Sequence, residues 1–359
     1  MPWMLLPTII ALAWPTMLEQ LLHTAVQYID TAMVGSLGTS AVAAVGSTTT
    51  VNWLVGSTVS GVGIGFLAFI SQAIGAGERE KTKRAVAQAE LAVLVCGIVF
   101  TAVLLSLSGI VPMLMRVEEG LRPLASKYFF IVYSPMLFRC SSIIFGTVLR
   151  AAGDTKTPMR VGVAVNVINV LLNFILIFPT RELCGVRIYG LGLGVIGAGI
   201  STAVAYTVGG ILLFLAILKH ESISPRGVSI KPDKEILLPC IKVALPNVFQ
   251  RFGTSFGYVV FATMVNAVGG VAIAAHTIAN TVESAFYIPG YGMQTAAATL
   301  VGNEYGAKRG DNINSLGRML IFVEAVLMII SGGLLFVFAP SIVGLFSSDP
   351  SVIKRGYTV

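Results

Sequence analysis

Charge is scarce in this chain. Of its 359 residues only 11% are Asp, Glu, Lys or Arg, where soluble domains carry about 25%. That scarcity excludes an ordinary soluble domain. Histidine is rarer still, with three in all, and no Ser/His/Asp, HExxH or phosphate-loop constellation occurs. An enzyme is therefore not expected. The four cysteines, Cys96, Cys140, Cys184 and Cys240, stand apart with no CxxC spacing. Neither a metal centre nor a disulfide framework is expected, and they read as small residues of a membrane core. The net charge of +7 has no basic stripe with interleaved aromatics behind it, so nucleic acid is not an expected partner. A cleavable leader is also not expected. Residues 1–33 lack a short apolar core followed by a small-residue cleavage pattern, and they read as a first spanning helix.

Apolar residues fill the space that charge leaves. They make up 55% of the chain, and mean hydropathy is +0.84. Repeated apolar runs exceed the ~20 residues that cross ~30 Å of hydrocarbon. The runs are continuous rather than alternating, which points to helices and not to a barrel. The fold class expected is an all-α membrane protein. Spans are predicted at 7–33, 43–70, 84–110, 123–149, 159–178, 191–218, 236–265, 272–300 and 313–339, with a tenth beginning near Val352. Lys and Arg number fourteen in the loops after even spans and four in those after odd spans. That bias places the even loops and the N-terminus in the cytoplasm of a cell inner or plasma membrane.

The chain also repeats itself. Shifted by 231 residues, Pro15 falls on Pro246, Gly38 on Gly269, and Gln72-Ala73-Ile74-Gly75-Ala76 on Asn303-Glu304-Tyr305-Gly306-Ala307. Six spans per copy make both copies point the same way, a parallel repeat of the kind found in secondary transporters. Residues 1–218 form the first six-helix lobe, 219–235 a cytoplasmic linker, and 236–359 a second lobe. Two full copies at that offset would need about 460 residues, so the second lobe is expected to be incomplete, within a longer reading frame.

Polar groups inside spans mark candidate sites, because each ionisable group there costs about 2.5–3.5 kcal/mol on insertion scales. In the first span Glu19, His23, Gln27 and Asp30 are spaced 4, 4 and 3, one stripe on one helical face. Such a stripe faces a cavity or neighbouring helices, with interhelical hydrogen bonding as the plain alternative. Pro15 lies in the same helix and removes one backbone hydrogen bond. It is either a static kink or a bend that changes with protonation. Asn169 and Asn173 share a face of the fifth span, and Thr202 lies in the sixth. Amide and hydroxyl oxygens suit a hard cation or a proton-linked hydrogen bond. The second copy has Gln250 where the first has Glu19 and Phe261 where it has Asp30. Its own acids are Glu283, read as a cation ligand or a partner of Arg251, and Glu324. Glu90 and Arg139 read as a structural pair between spans three and four. Phe249, Phe252, Phe256, Tyr258, Phe261, Phe286, Tyr287 and Met293 suggest an aromatic wall, although core packing explains most of them as well.

These residues have a familiar arrangement. The run Gln27-Tyr28-Ile29-Asp30-Thr31-Ala32-Met33-Val34-Gly35 after Pro15 resembles the first helix of MATE (multidrug and toxic compound extrusion) transporters. Leu149-Arg150-Ala151-Ala152-Gly153-Asp154-Thr155-Lys156-Thr157-Pro158 is similar to that family's loop after the fourth helix. Asn169-x-x-x-Asn173 and Gly197-Ala198-Gly199-Ile200-Ser201-Thr202 are similar to its fifth and sixth helices. The resemblance implies two six-helix lobes and export of organic, often cationic, drugs in exchange for H⁺ or Na⁺. It implies coupling at Asp30 with Asn169, Asn173 and Thr202, and a pathway touching Glu19, His23, Gln27, Gln250, Tyr258 and Glu283, with Pro15 as the hinge. Beyond the coupling ion it implies no cofactor. The expected partners are a small organic substrate and the lipid bilayer, with the protein a monomer. Family members with a second-lobe cation site carry Glu in the seventh helix near where this chain has Gln250. A flippase for a lipid or lipid-linked saccharide is the alternative, and a channel is less well served by the asymmetric stripe. Few buried cations (Arg139, Lys242, Arg251) argue against the flippase.

Overall fold

The computed structural model describes residues 5–115, 117–183, 186–268, 276, 283 and 286–346. The helices are α1 (Leu6–Gly35), α2 (Thr39–Gly75), α3 (Arg79–Ser106), the short α4 (Val111–Leu114), α5 (Arg122–Tyr133), α6 (Met136–Ala151), α7 (Lys156–Leu176), α8 (Val195–Lys219), α9 (Lys234–Val268), α10 (Ile288–Gly306) and α11 (Gly310–Phe346). Among the described residues six helices are long and apolar enough to cross a membrane, seven if α5 and α6 are one span. The expected tenth span, most of the eighth before Tyr287, Arg116 and Cys184 lie outside the described residues.

Two features depart from the predicted all-helical pattern. The fourth span is broken: α5 and α6 meet at Ser134-Pro135 with a 47° bend. Pro135 has no N–H to continue the ladder, whereas α1 and α9 run through Pro15 and Pro246 as single elements. Between α7 and α8 lies an antiparallel hairpin, β1 (Pro179–Leu183) with β2 (Val186–Leu191), where only a loop was expected. Gly190 lets the hairpin close, since a Cβ there would overlap the Phe178 carbonyl.

The turns explain the loop motifs. Gly153, at φ 83°, ends α6, and Asp154 N donates back to Leu149 O at 3.0 Å. Asp154 Oδ1 then accepts the Thr157 N–H at 2.9 Å, capping α7. Gly77, at φ 72°, does the same for α2. At the repeat offset of 231 the second copy has Lys308 at φ 58°, and its hydrogen bonds match: Gly77 N to Ile74 O and Lys308 N to Tyr305 O.

The two lobes meet along α1 and α2 on one side and α9, α10 and α11 on the other. Ile9, Leu12 and Ala13 of α1 pack with Met293 and Ala296 of α10 and with Leu316, Met319 and Leu320 of α11. A Cβ on Gly61 of α2 would overlap Val248 of α9, and one on Gly292 of α10 would overlap Met17 of α1. Gly61 and Gly292 are repeat equivalents, as are Met17 and Val248, so the interface has pseudo-twofold symmetry. All these contacts sit toward the end that carries the Lys/Arg-rich turns. Toward the other end the same helices are exposed, as at Trp53, Phe252 and Phe256, and Gly46, Gly253 and Gly257 have open space beside them. The lobes therefore form a cleft closed at the basic end and open at the opposite end.

The linker is held by the first lobe. Gln88, buried on α3, donates through Nε2 to Lys231 O (2.8 Å) and accepts from Asp233 N (3.1 Å). Arg84 pairs with Asp233 alongside it.

Candidate functional site: a carboxylate between α1 and α7

Asp30 faces α7, where Asn169 and Asn173 are buried at 6% and 1% exposure. Their i, i+4 spacing stacks both amides on the helix face packed against α1. Asn173 Nδ2 donates to Asp30 Oδ1. With its amide turned to satisfy both groups, Asn169 donates to Asp30 Oδ1 at 2.9 Å and Oδ2 at 3.1 Å. Asn173 Oδ1 is buried without a partner. Thr202 of α8 stands at the edge, 3.5 Å from the Asn169 amide, with its proton given to Ala198 O.

This arrangement can serve either charge state of Asp30. Two amide donors suit an ionised carboxylate. An amide carbonyl facing the carboxyl suits a protonated acid, which gives it an O–H, or a Na⁺ shared by both oxygens. The unpartnered Asn173 oxygen adds a further hard donor beside the site.

The predicted stripe does not stay together. Glu19 lies on the same α1 face but is taken by Arg150, whose Nη2 reaches both carboxylate oxygens at 2.8 and 2.6 Å. Gly162 of α7 makes room, since a Cβ there would sit 3.2 Å from Glu19 Cγ. Arg150 also ties α6 to the second lobe through its carbonyl, which accepts from Thr299 Oγ1 at 3.0 Å. Glu19 is thus held in an ion pair with Arg150. His23 and Gln27 are exposed and touch each other at 3.4 Å.

In the second lobe, Gln250 is exposed. Tyr258 is exposed and its ring lies 6.4 Å from that of His276. Glu283 accepts from Tyr287 Oη at 2.8 Å. Among the described residues it has no ion pair with Arg251. Phe249, Phe252, Phe256 and Phe261 are exposed, the last with its ring 5.3 Å from that of His276, whereas Met293 belongs to the inter-lobe core.

One group was misassigned from sequence. Arg139 does not pair with Glu90, whose Oε1 is buried without a partner. Arg139 instead donates through Nη1 to Asn52 Oδ1 at 2.8 Å, and Tyr133 Oη donates to the same oxygen at 2.8 Å. An Asn in mid-span at position 52 was the available signal for this cluster.

Comparison with known proteins identifies the family. The MatE family model matches residues 15–175 and 246–359. A probable multidrug resistance protein NorM of Thermotoga maritima is 27% identical over 96% of this chain and 73% of its own length. The probable multidrug resistance protein YoeA of Bacillus subtilis is 26% identical over 94% and 73%. A solved outward-facing conformation of a multidrug resistance MATE family transporter of the MOP superfamily superposes with a TM-score of 0.89 at 22% identity, covering 98% of this chain and 76% of that one. The two matched segments begin at Pro15 and Pro246, the same point of each repeat copy, and on that match the chain belongs to the MatE family.

Proposed function

We propose that this chain is an antiporter that exports organic, often cationic, compounds in exchange for H⁺ or Na⁺, with Asp30 as the coupling carboxylate. The observation that supports this reading is Asp30 of α1 within hydrogen-bonding reach of two buried amides of α7, Asn169 and Asn173. The relatives' names as multidrug resistance proteins supply the cargo class. The basic end is cytoplasmic by its Lys/Arg excess, so the cleft opens outward in this state.

Loading from outside removes the charge of Asp30 or screens it, and the Asn169 amide turns its oxygen toward the acid. That change alters the grip between α1 and α7. Cargo and cation then favour different tilts of the two lobes, since a ligand with equal affinity for both states shifts nothing. Thr202 tunes the Asn169 amide from the edge. His23, Gln27, Gln250 and Tyr258 line the open part of α1 and α9 where cargo would pass, with Glu283 beyond them, and Pro15 lies where α1 joins the closed interface.

The test is dye efflux from proteoliposomes with an imposed pH or Na⁺ gradient. Wild type exports dye against its gradient under one of the two, and Asp30→Asn inserts normally but does not. Equal export by Asp30→Asn and wild type would falsify the assignment.

A further inference from the structure

Arg139 is a charge without a counter-charge. It lies in the middle of the fourth span, four residues past Pro135 of the Ser134-Pro135 break, and is 7% exposed. In the same lobe Glu19 has Arg150 and Asp30 has two amides, whereas Glu90 Oε1 is buried without a partner and forms no ion pair with Arg139. Among the described residues no carboxylate is within ion-pair distance of Arg139. Its contacts are neutral: Asn52 Oδ1, and the faces of Tyr206 (4.9 Å from Cζ to centroid) and Tyr133 (5.9 Å). Asn52 Oδ1 already accepts from Tyr133, so it has no capacity left for a second guanidinium nitrogen. Among the described residues Nη1 is the guanidinium nitrogen hydrogen-bonded to Asn52, and neither Nε nor Nη2 meets a carboxylate. Nη2 packs toward Gly56, where a Cβ would stand in ordinary van der Waals contact at 3.9 Å.

A guanidinium placed this deep costs several kcal/mol. Cation–π contacts return roughly 0.5–2 kcal/mol each. A residue that only tied α6 to α2 through Asn52 needs a donor, not a charge, and Gln supplies one. The guanidinium fork of Arg139 has the geometry that binds an oxyanion with two parallel hydrogen bonds.

We propose that Arg139, where it stands among Asn52 and Gly56 of α2, Tyr133 of α5 and Tyr206 of α8, anchors a carboxylate carried by the cargo. The first lobe then has two poles, acidic at Asp30 and basic at Arg139, and it takes zwitterionic solutes in preference to plain cations. This rests on the reading of the chain as an exporter of organic solutes, and it names one group on that cargo.

The experiment is equilibrium binding to purified protein in a maltoside detergent at constant ionic strength, with no gradient. The probes are a cationic xanthene dye with a free benzoate and the methyl ester of the same dye. Wild type binds the acid about tenfold more tightly than the ester, as expected for one charge-assisted bidentate contact. Arg139→Gln brings that ratio to about one by weakening the acid alone, and Arg139→Lys keeps part of it. Equal binding of acid and ester by wild type, which needs no variant, overturns the proposal. So does equal loss of both probes in Arg139→Gln, which would make the residue structural. If replacing gluconate by chloride abolishes the acid preference, or if phosphatidylglycerol displaces both probes alike, the site belongs to a halide or a lipid headgroup and the proposal fails. Because no gradient is used, the site can fail while gradient-driven efflux stands, and the reverse.

Discussion

Gly75 of α2 lies directly against the backbone of Asn303 in α10, and a Cβ at position 75 would overlap the Asn303 carbonyl. The reciprocal contact exists 231 residues on, where Gly306 lies against the backbone of Gln72. Two helices that cross this closely have no side chain between them to yield, so the crossing is either closed or parted. It seals the basic end of the cleft, and alternating access requires that it open.

Gly75→Ala or Gly306→Ala should therefore disfavour the closed crossing by about 1–3 kcal/mol, the usual cost of forcing a methyl into a packed contact. Spin labels at the exposed positions 78 and 311 should report a longer distance than in wild type, and efflux should fall at least several-fold while membrane insertion is unchanged. Wild-type distances and wild-type efflux in both variants would remove the crossing as a gate.

Asn173→Ala should cut gradient-driven efflux about tenfold, because it removes a charge-assisted donor worth roughly 1.5–3 kcal/mol to Asp30. Combined with Asp30→Asn it should add nothing, since the two groups act as one unit. A double variant clearly worse than Asp30→Asn would show that Asn173 serves something other than the carboxylate.

Breaking the Glu19–Arg150 pair should lower stability rather than transport chemistry. The side chains keep 25% and 17% of their exposure, so solvent discounts the fully buried penalty, and Glu19→Gln should cost about 1–2 kcal/mol. Glu19→Gln with Arg150→Gln should recover part of that loss, because no charge is then left alone. Apparent melting in detergent measures both. A double variant less stable than either single one would refute the argument.

Lys308 holds a left-handed backbone that costs a non-glycine residue roughly 1–2 kcal/mol, where its repeat equivalent is Gly77. Lys308→Gly should be neutral to slightly stabilising, since relief of strain outweighs the added chain entropy. Gly77→Ala should destabilise by about 1 kcal/mol. Thermal shifts of the two variants in the same direction would contradict the comparison.

Much of this architecture was legible in the apolar runs that a bilayer imposes, and the first seven runs lie within about five residues of described helix ends, while α10 and α11 end six and seven residues past theirs. The repeat offset was legible too, and the inter-lobe contacts obey it: Gly61 with Val248 and Gly292 with Met17. The break at Ser134-Pro135 was not, because proline is tolerated inside spanning helices, and here Pro15 and Pro246 are carried without interruption. The hairpin from Pro179 to Leu191 was hidden in a short polar connector with no alternating apolar face long enough to announce a strand.

Spacing along α1 put Glu19, His23, Gln27 and Asp30 on one face, and helical geometry alone guarantees that much. Their separate fates depend on what other helices bring to each level of that face: Arg150 from α6 at Glu19, two amides from α7 at Asp30, and open cleft at His23 and Gln27. Arg139 makes the same point, since composition identifies a cation within a span but says nothing of its neighbours. Local sequence sets which residues share a helix face and which segments can cross hydrocarbon. The partner each polar group meets is set by side chains distant in the chain, and those meet only when the helices pack.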